Sequence, residues 1–176
     1  MRKYRPATRG AVSISQPNAY VPPMRVLTRT ILPIALVILV LDRLTKWWVV
    51  DVLDLPGTHE GIYEVFPPFL NFVMAWNRGI NFGLFSDGSP WVLIAIAVAI
   101  SLALLIWAVR RGSTTIGVGA GLVIGGAIGN AWDRASEWGA VADFLNMSCC
   151  GFDNPYSFNI ADIAIFAGAV WIALRA

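Results

Sequence analysis

The chain has 176 residues, 57% of them hydrophobic and only 14% charged, against about 25% charged in an average soluble domain. One domain of this length cannot hide so much apolar surface in its own core, so the excess faces lipid and the chain reads as an integral membrane protein. A net charge of +2 is too small for a nucleic-acid footprint, and nucleic acid is excluded as a partner. The single histidine, His59, rules out HExxH zinc sites and sits in the polar loop 57–61. The adjacent Cys149 and Cys150 match neither a zinc spacing nor an ordinary disulfide.

Residues 1–30 carry Arg2, Lys3, Arg5, Arg9, Arg25 and Arg29 among Pro6, Pro17, Pro22 and Pro23, which predicts a mostly irregular cytoplasmic tail. The apolar stretch from Ile31 begins too far behind these charges for a cleaved signal peptide and runs into Trp47-Trp48, so it reads as an uncleaved anchor. About 20 apolar residues cross a ~30 Å hydrocarbon core. Four segments qualify, at 31–50, 91–109, 115–132 and 158–174, within one membrane domain over 31–176.

Segment 51–90 holds Asp51, Asp54, Glu60, Glu64 and Asp87 against Arg78, whereas Arg110 and Arg111 follow the second span and Arg175 ends the fourth. The positive-inside rule then places 51–90 and 133–157 outside and both termini in the cytoplasm. Tryptophans agree, with Trp47, Trp48, Trp91 and Trp132 at the outer boundary and Trp107 and Trp171 at the inner one. The aromatic run 69–76 predicts a few short strands forming a small platform on the membrane surface between the first two helices. In the third span Gly117, Gly121, Gly125 and Gly129 recur every four residues, a bare face suited to close helix packing.

Asp42 and Lys46 share a face of the first span at i, i+4. Each charge costs about 2.5–3.5 kcal/mol at a bilayer centre, so the two should pair and pin the helix. Asp143 is expected in the outer loop, and Asp162 one turn into a helix starting from the same side. Antiparallel third and fourth spans would bring these carboxylates face to face. Two close carboxylates in a partly dry site share a proton, the arrangement by which an ionised acid activates water while its protonated neighbour polarises a carbonyl. Such chemistry needs no metal, histidine or nucleophilic serine, and no cofactor is expected. The same pair also suits a cation site or proton relay, which leaves a small proton- or cation-coupled transporter as the alternative. Asn130, Asn159 and Asn77 offer amides that orient the aspartates or bind a peptide, although Asn77 also suits a turn and Asn159 a helix cap. Arg134 suits either lipid headgroups or support of the site.

Five segments together resemble signal peptidase II, the bacterial lipoprotein signal peptidase family. They are Asp42-Arg43-Leu44-Thr45-Lys46, Asn77-Arg78-Gly79-Ile80-Asn81-Phe82, the stretch 125–134 ending in Asn130-Ala131-Trp132-Asp133-Arg134, Val141-Ala142-Asp143-Phe144, and Phe158-Asn159-Ile160-Ala161-Asp162. The resemblance implies a polytopic α-helical membrane protein with four transmembrane helices and a small periplasmic β-rich platform. It implies an aspartic endopeptidase of the cell inner membrane that removes signal peptides from diacylglyceryl-modified prolipoproteins, cutting just before the lipidated cysteine. Carried over by motif, Asp143 and Asp162 are the catalytic dyad. Asp42, Lys46, Asn77, Asn130, Arg134 and Asn159 support the site or face substrate, and the partners are prolipoproteins and membrane lipids, without an obligate protein partner. The chain departs from the family pattern at Asn81, in the four residues between Arg134 and Gly139, and in the stretch 146–155.

Overall fold

The computed structural model describes residues 21–79 and 89–175. The tail charges Arg2, Lys3, Arg5 and Arg9, together with Asn81 and Asp87, lie outside the described residues.

The first helix starts earlier than the sequence suggests, since residues 23–30, read as irregular tail, are helical. Short helix α1 (Pro23–Val26) opens with proline at its first position, where the missing N–H would have had no partner anyway. The chain widens into a π-helical turn at Leu27–Ile31 before α2 (Leu32–Trp47). The Leu32 N–H bonds back to Leu27 O, five residues away, a wider turn that accommodates Pro33 inside an otherwise continuous helix. A second such turn, Trp48–Val52, follows α2.

Two short 3₁₀ turns lead into the antiparallel hairpin of β1 (Ile62–Phe66) and β2 (Leu70–Asn77). Helix α3 (Pro90–Arg111) ends at Gly112, whose left-handed conformation closes the turn into α4 (Thr114–Ala135). The segment between α4 and α5 (Ile160–Arg175) supplies β3 (Val141–Asn146), which pairs antiparallel with β2 to give the order β1-β2-β3. The sheet is therefore built from two separate connections and not from the segment between the first two helices alone, and Asp143 sits on a strand where the sequence suggests a loop. Strand β3 is buried on both faces and lacks the polar alternation that would have marked it.

The helices containing the first three expected spans are long and apolar enough to cross a membrane: Pro23–Gly57, Pro90–Arg111 and Thr114–Ala135. The fourth expected span falls on α5, which has 16 described residues. Helix α4 lies at the centre, against α2, α3 and α5. Its glycines explain the closeness. A Cβ on Gly121 or Gly125 would strike Ile31 O at 3.0 Å or Ala35 O at 2.7 Å, and one on Gly119 would meet Gly168 O at 2.9 Å. The four-residue stripe thus faces α1 and α2, while Gly119 and Gly126 face α5. Phe72 ties the sheet to the bundle, its ring meeting Trp48 edge-on at 6.0 Å and Phe144 at 5.8 Å.

Candidate active site

Where α4 stops, α5 starts and β3 crosses between them, the structure collects most of the polar side chains expected to matter. Asp143 projects from β3 and is 2% exposed. Asn159 Nδ2 donates to its Oδ1 at 2.6 Å, and Asn77 Nδ2, at the end of β2, donates to its Oδ2 at 3.1 Å. Burial pushes the Asp143 pKa up to about 7, and the negative charge of Asp162 adds to the rise. The Asn77 hydrogen bond, the Lys46 charge and the Asn159 hydrogen bond oppose it.

Asp162 is the third residue of α5. Its Oδ1 accepts from Asn130 Nδ2 at 2.8 Å, and its backbone N–H donates to Asn159 Oδ1 at 2.9 Å. Asn159 therefore caps the helix and contacts Asp143 with the same amide group. One fully buried asparagine holds both aspartates in register. Its Nδ2 also donates to Asn130 Oδ1 at 3.1 Å, closing a small amide network between them. Asn77 likewise does both things expected of it, since its Oδ1 accepts from the Gly79 N–H at 3.2 Å in a local turn while its Nδ2 reaches Asp143.

Beneath this network lies a charge cluster in which Asp42, Lys46 and Asp133 are fully buried. Lys46 and Asp42, both fully buried, pair at 3.0 Å across one helical turn. Lys46 Nζ also meets Asp133 Oδ2 at 2.6 Å and Asn130 Oδ1 at 3.3 Å. Arg43 binds Asp42 at 3.0 Å and Asp133 through a short contact. Asp42 and Asp133 against Arg43 and Lys46 leave no net charge. Buried ions are tolerated on that condition, and removing one member of such a group typically costs about 3–5 kcal/mol. Gly129 makes the space, because a Cβ there would lie 2.6 Å from Asp42 Oδ2.

Arg134 donates to Gly79 O at 2.7 Å and to Asn130 O at 3.4 Å. All eight residues singled out in the sequence thus fall in one connected neighbourhood. Sequence reasoning did not select Arg43 and Asp133. The available signal was an arithmetic one: Asp42 and Lys46 satisfy each other, so a second cation in the same span calls for a second anion.

A family model for signal peptidase (SPase) II matches residues 34–176. The chain belongs to the signal peptidase II family. The lipoprotein signal peptidase of Methylorubrum extorquens is 41% identical over 139 residues, covering 77% of this chain and 78% of that protein. That of Rhodopseudomonas palustris is 42% identical over 139 residues, covering 76% and 82%. A solved structure described as a bacterial membrane enzyme superposes with a TM-score of 0.73 at 26% identity, covering 89% of this signal peptidase II homologue and 90% of that chain. Membership in this peptidase family leaves the transporter alternative without support.

Proposed function

We propose that this chain is an aspartic endopeptidase of the bacterial inner membrane that removes signal peptides from diacylglyceryl-modified prolipoproteins, cutting just before the lipidated cysteine. The observation that carries the reading is the joining of Asp143 and Asp162 through the one amide of Asn159. Two carboxyl groups brought close in a partly dry site share a proton. The ionised member takes a proton from water, whose oxygen attacks the scissile carbonyl carbon, while the protonated member donates to the carbonyl oxygen. Collapse of the tetrahedral intermediate breaks the C–N bond and delivers a proton to the departing amine. Asn77, Asn130 and Asn159 orient the carboxylates, Arg134 holds the segment at Gly79 beside them, and Asp42 and Lys46 support the site from below.

The chain crosses the membrane four times, with both termini in the cytoplasm and the sheet and dyad on the periplasmic side. In support, Arg111 and Arg175 stack over Trp107 and Trp171 at 5.8 Å and 5.3 Å, a basic and aromatic boundary at the helix ends opposite the dyad. The Val21 N–H bonds Gly112 O at 2.7 Å, bringing the start of the first helix to that same end. Exposed Leu36, Val40, Leu44, Val92, Ile96 and Ile100 suit contact with lipid tails.

The test is a gel-shift assay on purified protein, offering a diacylglyceryl prolipoprotein and its unlipidated precursor to the wild type and to Asp143→Asn and Asp162→Asn. Cleavage of the lipidated form alone is expected, falling at least about 10³-fold in either variant, given how heavily single members of a catalytic unit count. The purified chain should act without a protein partner. A folded wild-type chain that leaves lipidated substrate intact would overturn the reading.

A further inference from the structure

The two buried anions beneath the dyad each hold the backbone immediately before a dyad aspartate. Asp133 Oδ2 accepts from the N–H of Ala142, the residue preceding Asp143, at 3.3 Å. Asp42 Oδ1 accepts from the N–H of Ala161, the residue preceding Asp162, at 3.2 Å. Lys46 Nζ spans the two anions, at 3.0 Å from Asp42 and 2.6 Å from Asp133, and Arg43 bridges them a second time. A continuous path of charged contacts thus runs from the backbone beside one aspartate to the backbone beside the other.

From this we infer that Asp42, Lys46 and Asp133 form a rigid spacer that sets the separation of Asp143 and Asp162, and that Asp133 is a positioning residue for the dyad. The inference rests on the peptidase reading proposed above. Its physical basis is leverage. Strand β3 and the lead-in to α5 are already joined by backbone hydrogen bonds at Phe158, to Phe144 and Leu145, and the carboxylates of Asp42 and Asp133 extend that hold to the residues beside the dyad. Asp42 and Asp133 arrest both backbones one residue from the reacting carboxyls. Each also lies on a helix packed against the next, with the glycine stripe of α4 keeping α2 close. Asp133 is fully buried and reaches neither dyad aspartate by a hydrogen bond, so it acts through Ala142. The Ala142 carbonyl is held as well, accepting from Asn159 Nδ2 at 3.4 Å, so both polar backbone atoms of that residue are tied down.

The spacer predicts a graded response at position 133. Asp133→Asn keeps an oxygen for the Ala142 N–H but weakens the attraction to Lys46, whereas Asp133→Ala removes both. Misplacing a reacting group by about 1 Å costs on the order of 10²-fold in rate. The expected result is that kcat on lipidated substrate falls about tenfold in Asp133→Asn and about 10²-fold in Asp133→Ala, with KM within about threefold of wild type. The alkaline limb of the pH profile should also move in both, because the charge each aspartate feels from the other depends on their separation. Rates are referred to folded protein, measured by the monodisperse fraction and its melting temperature in detergent.

Wild-type kcat per folded molecule in both variants would overturn the spacer, as would a loss that tracks only the folded fraction with the pH profile unmoved. Lys46→Met, which cuts the bridge from its middle at similar volume, provides an independent arm and should reproduce the kcat loss with KM within about threefold of wild type; an unchanged kcat per folded molecule would overturn the spacer. Failure of the peptidase reading shows differently, as a folded wild type that does not cleave at all.

Discussion

At the scale of single residues, the charge state of Asp143 ties the site to pH. Its carboxyl titrates at about 7 instead of its usual 3.8 because burial and the neighbouring Asp162 disfavour the anion. A proton is therefore retained in the folded chain from about pH 4 to 7 where an unfolded chain has released it. Folded-state stability drawn from this group is present at low pH and is lost as pH rises through about 7. The shared proton leaves in the same window. The kcat/KM for prolipoprotein cleavage should accordingly fall about tenfold per pH unit once Asp143 loses its proton, near pH 7. A profile flat to pH 9, measured with the folded fraction checked at each point, would contradict the assigned protonation. Asn159 is the other residue to watch at this scale, since its amide is committed at both ends and has no freedom to follow a displaced aspartate.

At the scale of elements, the packing of α4 decides whether the polar groups meet. A methyl group added at Gly125 would press on the backbone of α2, 2.7 Å from Ala35 O, and backbone cannot yield as a flexible side chain does. Gly125→Ala is expected to destabilise the fold by about 1–3 kcal/mol, the usual cost of overpacking, seen as a lower melting temperature in detergent. Gly129→Ala differs in kind. Its methyl group would intrude on the Asp42 carboxylate, so peptidase activity should fall further than stability does. An unchanged melting temperature in Gly125→Ala would refute the packing argument.

The glycine stripe was plain in the sequence because a helical face follows from spacing alone, and Asp42 with Lys46 was plain for the same reason. Asp143 and Asp162 could be singled out by type and depth. Arg43 and Asp133 escaped because their partnership spans ninety positions and exists only once α2 and α4 are in contact. Strand β3 escaped too: buried on both faces and six residues long, it carries neither alternation nor length enough to distinguish it from a loop. The early helix start at Pro23 was hidden by prolines and arginines that read as tail, although its Val26 is fully buried and Thr30 nearly so.

At the scale of the whole molecule, the proposed orientation can be read with the chain's own thiols. Cys149 and Cys150 are free, exposed and attached to the segment that follows β3. An impermeant maleimide should label them in intact spheroplasts without lysis, and labelling only after lysis would invert the topology. The cluster beneath the dyad also bears on how such a chain is made. Synthesis delivers α2 first, carrying Asp42, Arg43 and Lys46 with one positive charge in excess, and the balancing Asp133 arrives only at the end of α4. The Ala161 N–H that completes the coordination of Asp42 comes later still, at the start of α5. The charge that the first helix carries is thus balanced only by residues that are made later, so the site cannot assemble until α4 and the start of α5 have joined α2.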